Sequence, residues 1–351
     1  MTKITPKTLL VTGGAGFIGS CFVAQCVERG QHVIVLDKLT YAGHPENLSW
    51  LDSSNYAGSY SLVEGDICDG ALVSRLLNDH NVDAVVNFAA ESHVDNSIAN
   101  PSAFIETNIN GIYTMLEASR QYWNGLQGEA KANFRMLQIS TDEVYGTLGE
   151  TGKFSETTAM KPNSPYSASK AAGDHLARAW HETYGLPVVV TNCSNNYGPR
   201  QHPEKLIPRM ITNALEGQPL PIYGDGKNVR DWIHVEDHAA GVYLALTEGN
   251  AGETYCFGGN AERTNIEVVH AICDVLGELA PQEGRNYRDL ITFVTDRAGH
   301  DRRYAIDDSK AQAELNFTRT YGAFEDGLRQ TIQWYLNNSA WCTAIKDKKA
   351  A

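Results

Sequence analysis

Val11-Thr12-Gly13-Gly14-Ala15-Gly16-Phe17-Ile18-Gly19 decides how this chain folds. The apolar run 8–12 leads straight into a G-x-x-G-x-x-G turn, and a helical segment, 17–29, follows it. Glycines let a backbone turn tightly and come close to a pyrophosphate. The helix N-terminus behind them offers free N–H groups to its negative charge. A second apolar run, 32–36, ends at Asp37. A carboxylate there accepts hydrogen bonds from a ribose diol and repels a 2′-phosphate. The stretch therefore predicts a dinucleotide site that prefers NAD to NADP. Lys38, next along, works slightly against that preference.

Further short apolar runs lie at 61–63, 84–88, 136–139 and 188–192. Each is continuously apolar rather than alternating, as in a parallel sheet covered on both faces. Helical segments at 17–29, 70–78, 102–122 and 166–184 separate them. This rhythm predicts an α/β protein with a Rossmann-type doubly wound parallel sheet over residues 1–193. After Ser194, Pro199, Pro203, Pro208, Pro219, Pro221, Gly224 and Gly226 crowd the chain and the apolar runs shorten. Residues 194–351 are expected to form a smaller C-terminal substrate-binding lobe. Segments around 231–257, such as Asp231–Ala245, are expected to return to the main sheet.

The chain has 351 residues, 42% hydrophobic and 20% charged, enough for a large core. A formal net charge of −13 offers no footprint for nucleic acid, so cations for a phosphate must be gathered locally. The cysteines at 21, 26, 68, 193, 256, 273 and 342 show neither C-x-x-C nor metal-type spacing. They read as reduced thiols of a cytoplasmic protein without a metal site. No apolar run approaches a membrane span, and residues 1–6 carry no apolar leader stretch.

The chemistry is concentrated in two runs. Ser140-Thr141-Asp142-Glu143-Val144-Tyr145-Gly146 leaves the fifth predicted strand, and Tyr166-Ser167-Ala168-Ser169-Lys170 opens a helix. Tyr166 and Lys170 fall one turn apart on one helix face. The ammonium is expected to lower the phenol from its usual value of about 10, so that it can act as a general base. It can also hold the nicotinamide ribose. The Thr141 hydroxyl can bond the reacting alcohol. Burial and mutual repulsion should drive the titrations of Asp142 and Glu143 apart, leaving Asp142 as a protonated acid and Glu143 as an ionised base. Asp66-Ile67 is placed for the adenine, and Phe88-Ala89-Ala90-Glu91-Ser92 lets a dinucleotide cross the sheet edge.

Together these runs resemble the extended short-chain dehydrogenase/reductases and, more narrowly, the dTDP-glucose 4,6-dehydratase family, from Thr8 to about Tyr335. The likeness includes Asp37-Lys38-Leu39-Thr40-Tyr41-Ala42-Gly43, Ala90-Glu91-Ser92-His93-Val94-Asp95, Asn195-Asn196-Tyr197-Gly198-Pro199 and Asp225-Gly226-Lys227-Asn228-Val229-Arg230-Asp231-Trp232. It implies a tightly bound NAD that is regenerated each turnover. The implied contacts are Gly13, Gly16, Phe17, Ile18 and Gly19, then Asp37, Lys38, Leu39 and Thr40, then Asp66 and Ile67. Phe88, Ala89, Ala90, Ser92, Thr107, Tyr166, Lys170 and Asn195 complete that set. It implies dTDP-glucose as substrate, held by Ser92, Thr141, Asn196, Lys205 and Leu206, with Pro221, Ile222 and Tyr223 at the base. Arg230, Asn265, Asp296, Arg297 and His300 would line the nucleotide diphosphate.

The family chemistry, carried onto these residues, has Tyr166 remove the C4 hydroxyl proton while hydride leaves C4 for NAD. Glu143 then takes the C5 proton, Asp142 protonates the departing C6 hydroxyl, and hydride returns to C6. The resemblance also implies a homodimer through helices 102–122 and 166–184. Two positions depart from the family pattern: Ala298 stands where proline is usual, and His44 where asparagine is usual. A UDP-sugar 4-epimerase would keep Tyr166 and Lys170 without needing Asp142 and Glu143. A 4,6-dehydratase of UDP- or CDP-glucose would keep all four. A cofactor-sensing regulator could dispense with Tyr166 and Lys170.

Overall fold

The glycine turn joins strand to helix as its sequence demands. In this computed structural model, strand β1 (Thr8–Thr12) enters it and the helix Phe17–Glu28 leaves it. Residues 3–350 are described, apart from 53–55, 57, 285, 297 and 298, with no side chains beyond 345. Gly13 has φ +65°, and a Cβ there would stand 2.6 Å from the backbone nitrogen of Ala89. A Cβ on Gly19 would run into the Gly13 carbonyl oxygen. Glycine is what allows this helix to approach the strand so closely.

The following strands are β2 (His32–Asp37), β3 (Tyr60–Glu64), β4 (Ala84–Asn87), β5 (Arg135–Thr141) and β6 (Val188–Cys193). Shorter ones come later: β7 (Asn195–Tyr197), β8 (Leu220–Tyr223), β9 (Val229–His234), β10 (Thr254–Phe257), β11 (Glu262–Thr264) and β12 (Ile291–Val294). Seven of them form one parallel sheet in the order β10-β6-β5-β4-β1-β2-β3. Strand order reverses between β1 and β4, which opens a crevice at their carboxyl ends. Leu9 and Val11 face one apolar layer, with the helices Phe17–Glu28 and Val235–Glu248. Leu10 and Ile34 face the other, with Gly70–Asp79, Ile112–Gly125 and Pro165–Tyr184. The strand's twofold alternation explains this division. β3 is only half-buried, because it is an edge strand.

The helix expected at 102–122 is not one α-helix. It runs as Pro101–Ile105, a π-helical stretch Glu106–Gly111, and Ile112–Gly125. The wider turn rotates Asn108 inward. Its amide donates to the Glu91 carbonyl at 3.0 Å and to the Ser169 hydroxyl at 2.9 Å. Its oxygen accepts from the Glu91 N–H at 2.9 Å.

The segment 231–257 divides. β10 joins the main sheet beside β6, and the helix Val235–Glu248 packs against its face. β9 instead belongs to a separate three-stranded sheet, β11-β9-β7. Its ladders are taken by those neighbours, and the Asp231 carboxylate accepts the N–H groups of Gly259 and Ala261 at 3.1 and 2.8 Å.

The later residues build another core around the helices Leu206–Glu216, Asn265–Leu279 and Phe324–Asn337. The last helix, Ser339–Ala350, reaches back to the first half. The Trp341 indole donates to Asn47 Oδ1 at 3.0 Å, and Asn47 Nδ2 donates to the Ala15 carbonyl at 2.8 Å.

Candidate active site

Two adjoining cavities of about 330 and 620 Å³ lie along the carboxyl edge of the sheet. Glu143 borders both, as do Ser92, Asn195 and Lys205.

The first cavity is the dinucleotide cleft, and every residue expected there lines it except Leu39. Leu39 packs its side chain on the core, with φ +52°, and only its N–H turns inward, to Asp37 Oδ1 at 2.9 Å. Asp37 Oδ2 accepts from Ala15 N–H at 2.9 Å. Burial pushes the Asp37 pKa up against these two bonds. Lys38 turns away to Asp66, 2.6 Å distant, so its charge is neutralised there. Burial acts to raise the Asp66 pKa, but the bonds from Cys68 N–H and Lys38 prevail and it ends lowered. The glycine cradle, the helix N-terminus and the inward carboxylate fit a dinucleotide that carries a free ribose diol.

Tyr166 and Lys170 are set by the start of their helix. Ser164 caps it, with Oγ accepting from Ser167 N–H at 3.1 Å and Ser167 Oγ accepting from Ser164 N–H at 3.0 Å. Pro165 occupies the first turn, where no N–H is missed. Both side chains line the cleft beside Thr141.

The expected lowering of the phenol is not seen. Burial first, and then the charge of Glu143, push the Tyr166 pKa well above its usual range, against a hydrogen bond from Thr141. The reason lies with Lys170, whose Nζ donates to the Ile139 carbonyl at 2.7 Å. Burial lowers the Lys170 pKa, against the nearby charge of Asp174.

The position of Asp142 also differs from expectation. It borders neither cavity and is only 2% exposed. It opens the 3₁₀ turn Asp142–Tyr145, whose backbone carries it behind Thr141. The Thr141 hydroxyl donates to its Oδ1 at 3.3 Å, and Oδ2 has no partner among the described residues. Burial, then the charges of Glu143 and Asp231, push its pKa well above the carboxylate range. Burial thus biases Asp142 toward its neutral form.

Ser92, Lys205, Leu206, Pro221, Ile222, Tyr223, Arg230, Asn265 and His300 line the second cavity. Thr141 and Asn196 line the first instead. Asp296 borders neither cavity and bonds His300 Nδ1 at 2.6 Å. Arg297 and Ala298 lie outside the described residues. Arg230 lies 4.2 Å over the Tyr304 ring, with Nη2 donating to the Asp301 carbonyl at 2.9 Å. Asn196 is fixed by its neighbours: Nδ2 donates to the Ser194 carbonyl at 3.0 Å, and Oδ1 meets His238 Nδ1 at 2.9 Å.

Residues not anticipated come from the loop after β7. Arg200 lines the first cavity with φ +67°, its guanidinium between the Trp50 and Trp334 rings at 5.4 and 5.5 Å. His202 borders both cavities and stacks on His44, with ring centroids 5.8 Å apart. The polar run Arg200-Gln201-His202-Pro203-Glu204-Lys205 was the available signal. Among the described residues, no group of acidic, histidine or cysteine side chains is placed to hold a metal ion. None of their helices is long and apolar enough to cross a membrane.

A doubly wound sheet with a dinucleotide turn, and a tyrosine–lysine helix beside its switch point, define an extended short-chain dehydrogenase/reductase. A family model described as GDP-mannose 4,6 dehydratase matches residues 10–331. The dTDP-glucose 4,6-dehydratase of Xanthomonas campestris pv. campestris is 58% identical over 341 residues, covering 97% of this chain and 96% of that one. That of Salmonella typhimurium is 53% identical, covering 96% and 95%. The structure of the Streptomyces venezuelae dTDP-glucose 4,6-dehydratase with NAD and TYD bound matches at TM-score 0.87 and 46% identity, covering 96% of this chain and 99% of that one. UDP-glucose 4-epimerase of Thermotoga maritima shares the fold at TM-score 0.83 and 28% identity, covering 95% and 99%. The chain belongs to the dTDP-glucose 4,6-dehydratase family.

Proposed function

We propose that this protein uses bound NAD to convert dTDP-glucose into dTDP-4-keto-6-deoxyglucose and water. One observation carries the reading. Glu143 stands where the two cavities meet, with the buried carboxyl of Asp142 next to it in sequence and Tyr166 lining the same cleft. An epimerase has no task for that acid pair.

Bound NAD supplies the hydride acceptor for C4 and the hydride donor for C6. The protein's own groups move the protons. Tyr166 takes the proton of the C4 hydroxyl, whose oxygen the Thr141 hydroxyl also holds. The ketone so formed acidifies the C5–H bond, and Glu143 removes that proton. Asp142 is the acid for the C6 hydroxyl, which leaves as water, and the step requires its carboxyl to turn from behind Thr141 into the cleft. Glu143 returns its proton to C5 once C6 has been reduced. The second lobe, residues 194–351, holds the nucleotide: Arg230 and Lys205 present cations to the diphosphate, and Tyr223 offers a ring to the base. Incubation with dTDP-glucose and no added NAD tests the reading. A 4-keto-6-deoxy product is expected, and its absence from NAD-loaded protein would sink the assignment. UDP- and CDP-glucose in parallel measure the base preference.

Two broader proposals accompany this one. Ile105, Tyr113 and Tyr184 are each about half exposed on the helices expected to pair, at 47, 51 and 48%, which supports a homodimer through them. The seven cysteines form no disulfide among the described residues, which supports a cytoplasmic location.

A further inference from the structure

We infer that Arg200 is the cation that holds the diphosphate of the bound dinucleotide, clamped for that task between two tryptophan rings. The inference rests on the proposed use of NAD and adds to it a residue that the sequence did not point to.

A cleft that takes a dinucleotide must gather positive charge in a chain whose formal net charge is −13. Lys38, Lys170, Arg200 and Lys205 are the lysines and arginines that line it. Three of them are engaged elsewhere. Lys38 pairs with Asp66 at 2.6 Å, and Lys170 Nζ donates to the Ile139 carbonyl at 2.7 Å. Lys205 Nζ donates to the Ser92 carbonyl at 3.3 Å, and Lys205 also borders the nucleotide-sugar cavity. Arg200 borders the dinucleotide cleft alone, and its guanidinium makes no hydrogen bond or ion pair to any described residue. Burial lowers the Arg200 pKa, and the field of Glu236 only partly opposes this. A half-buried guanidinium without a counter-ion is costly, and an anion in the cleft removes that cost.

The place of the guanidinium is fixed. Its central carbon lies 5.4 Å from the centre of the Trp50 ring and 5.5 Å from that of Trp334. Trp50 follows a segment tied to the glycine turn. There the His44 N–H donates to the Ala15 carbonyl at 3.0 Å, and Asn47 Nδ2 donates to the same oxygen at 2.8 Å. Trp334 stands on the helix Phe324–Asn337. The backbone at Arg200 has φ +67°, which a residue with a side chain adopts at a cost, and such strain gathers at ligand clamps. A guanidinium held by ring faces keeps its N–H edges for an acceptor, and a diphosphate can take two of them at once. The helix N-terminus behind the glycines offers only partial charge. Arg200 adds a full one, and the diphosphate carries the negative charge of NAD.

Cofactor retention tests the assignment apart from turnover. The purified holoprotein is chased with labelled NAD, and release of the bound cofactor is timed. Arg200→Met keeps a long side chain between the tryptophans and removes the charge. Arg200→Lys keeps the charge and loses the flat stack. The methionine protein should release NAD at least about tenfold faster than the parent, and several-fold faster than the lysine protein. Raising salt from about 0.05 to about 0.5 M should speed release from the parent and the lysine protein far more than from the methionine protein. A side chain that only packs between the rings gives the reverse order, with methionine the better substitute. That order, or equal release from all three, would overturn the inference. If the methionine protein does not fold, Arg200→Gln carries the same comparison. Failure of the underlying reaction scheme looks different: the parent would then retain NAD yet form no 4-keto-6-deoxy product from dTDP-glucose.

Discussion

His238 gives this protein a measurable weakness in acid. It lies on the helix Val235–Glu248, is fully buried, and uses Nδ1 to hold Asn196 Oδ1. The amide of Asn196 is already turned to the Ser194 carbonyl, so its oxygen must accept and the histidine proton sits on Nδ1. Nε2 has no partner among the described residues. A second proton there would be a buried charge with nothing to meet it, and burial lowers the pKa from 6.5 to about 3. The unfolded chain takes up a proton below about pH 6.5 and the folded chain does not until about pH 3. Across that window each pH unit costs about 1.4 kcal/mol of folding free energy as pH falls.

The informative variant is His238→Asn, whose amide can still donate to Asn196 but does not titrate. Its smaller side chain leaves a void and lowers stability by an amount that does not vary with pH. All other titrating groups are shared with the parent and cancel in the difference. Urea unfolding at a fixed protomer concentration, from pH 6.5 down two units, should show the gap between the two proteins shift by about 2 kcal/mol in favour of the variant. Parallel stability curves over that range would show that the imidazole takes up its proton in the fold, and the argument from burial would fail.

Asp142→Asn combined with Glu143→Gln should still permit oxidation at C4 but halt water loss. Reduced-nicotinamide absorbance should rise on adding dTDP-glucose and persist, with turnover down by at least about 10²-fold; unchanged product formation would contradict both roles. Gly19→Ala places a methyl against the Gly13 carbonyl, so the apparent NAD dissociation constant should rise about tenfold or more by titration calorimetry. Native NAD affinity would mean that the turn is looser than it looks. Asn108→Ala removes partners from both backbone groups of Glu91 and should lower folding free energy by about 3 kcal/mol in denaturant titration. An effect below about 0.5 kcal/mol would show that the π turn relaxes without it.

The parts of the fold that were legible are those whose cause is local. A glycine turn between an apolar run and a helix can be read directly, because Gly13 and Gly19 are required by backbone geometry. The main-sheet strands could be read because burial on both faces makes them continuously apolar. The π turn at 106–111 could not, since its polar Asn108 answers to Glu91 and Ser169, which only the fold brings near. Strand β9 looked like a returning element because apolar pattern does not say which sheet will claim a strand. At the active site the residue types and their spacing were visible. Two features were not. Lys170 bonds a main-chain carbonyl rather than serving the phenol, and Asp142 sits behind the wall rather than in it. Both depend on side-chain direction, which spacing alone leaves open. His44, one of the two departures from the family pattern, stacks on His202, a contact that spacing alone does not reveal.

The bond from Trp341 to Asn47 joins positions 294 apart, and through Asn47 it steadies the turn at Ala15. Ribosomes deliver the amino-terminal half first, so that half emerges with its nucleotide cradle lacking the most distant brace. A chain ending before Trp341 is expected to hold that turn less firmly, which NAD titration of a truncated protein would register.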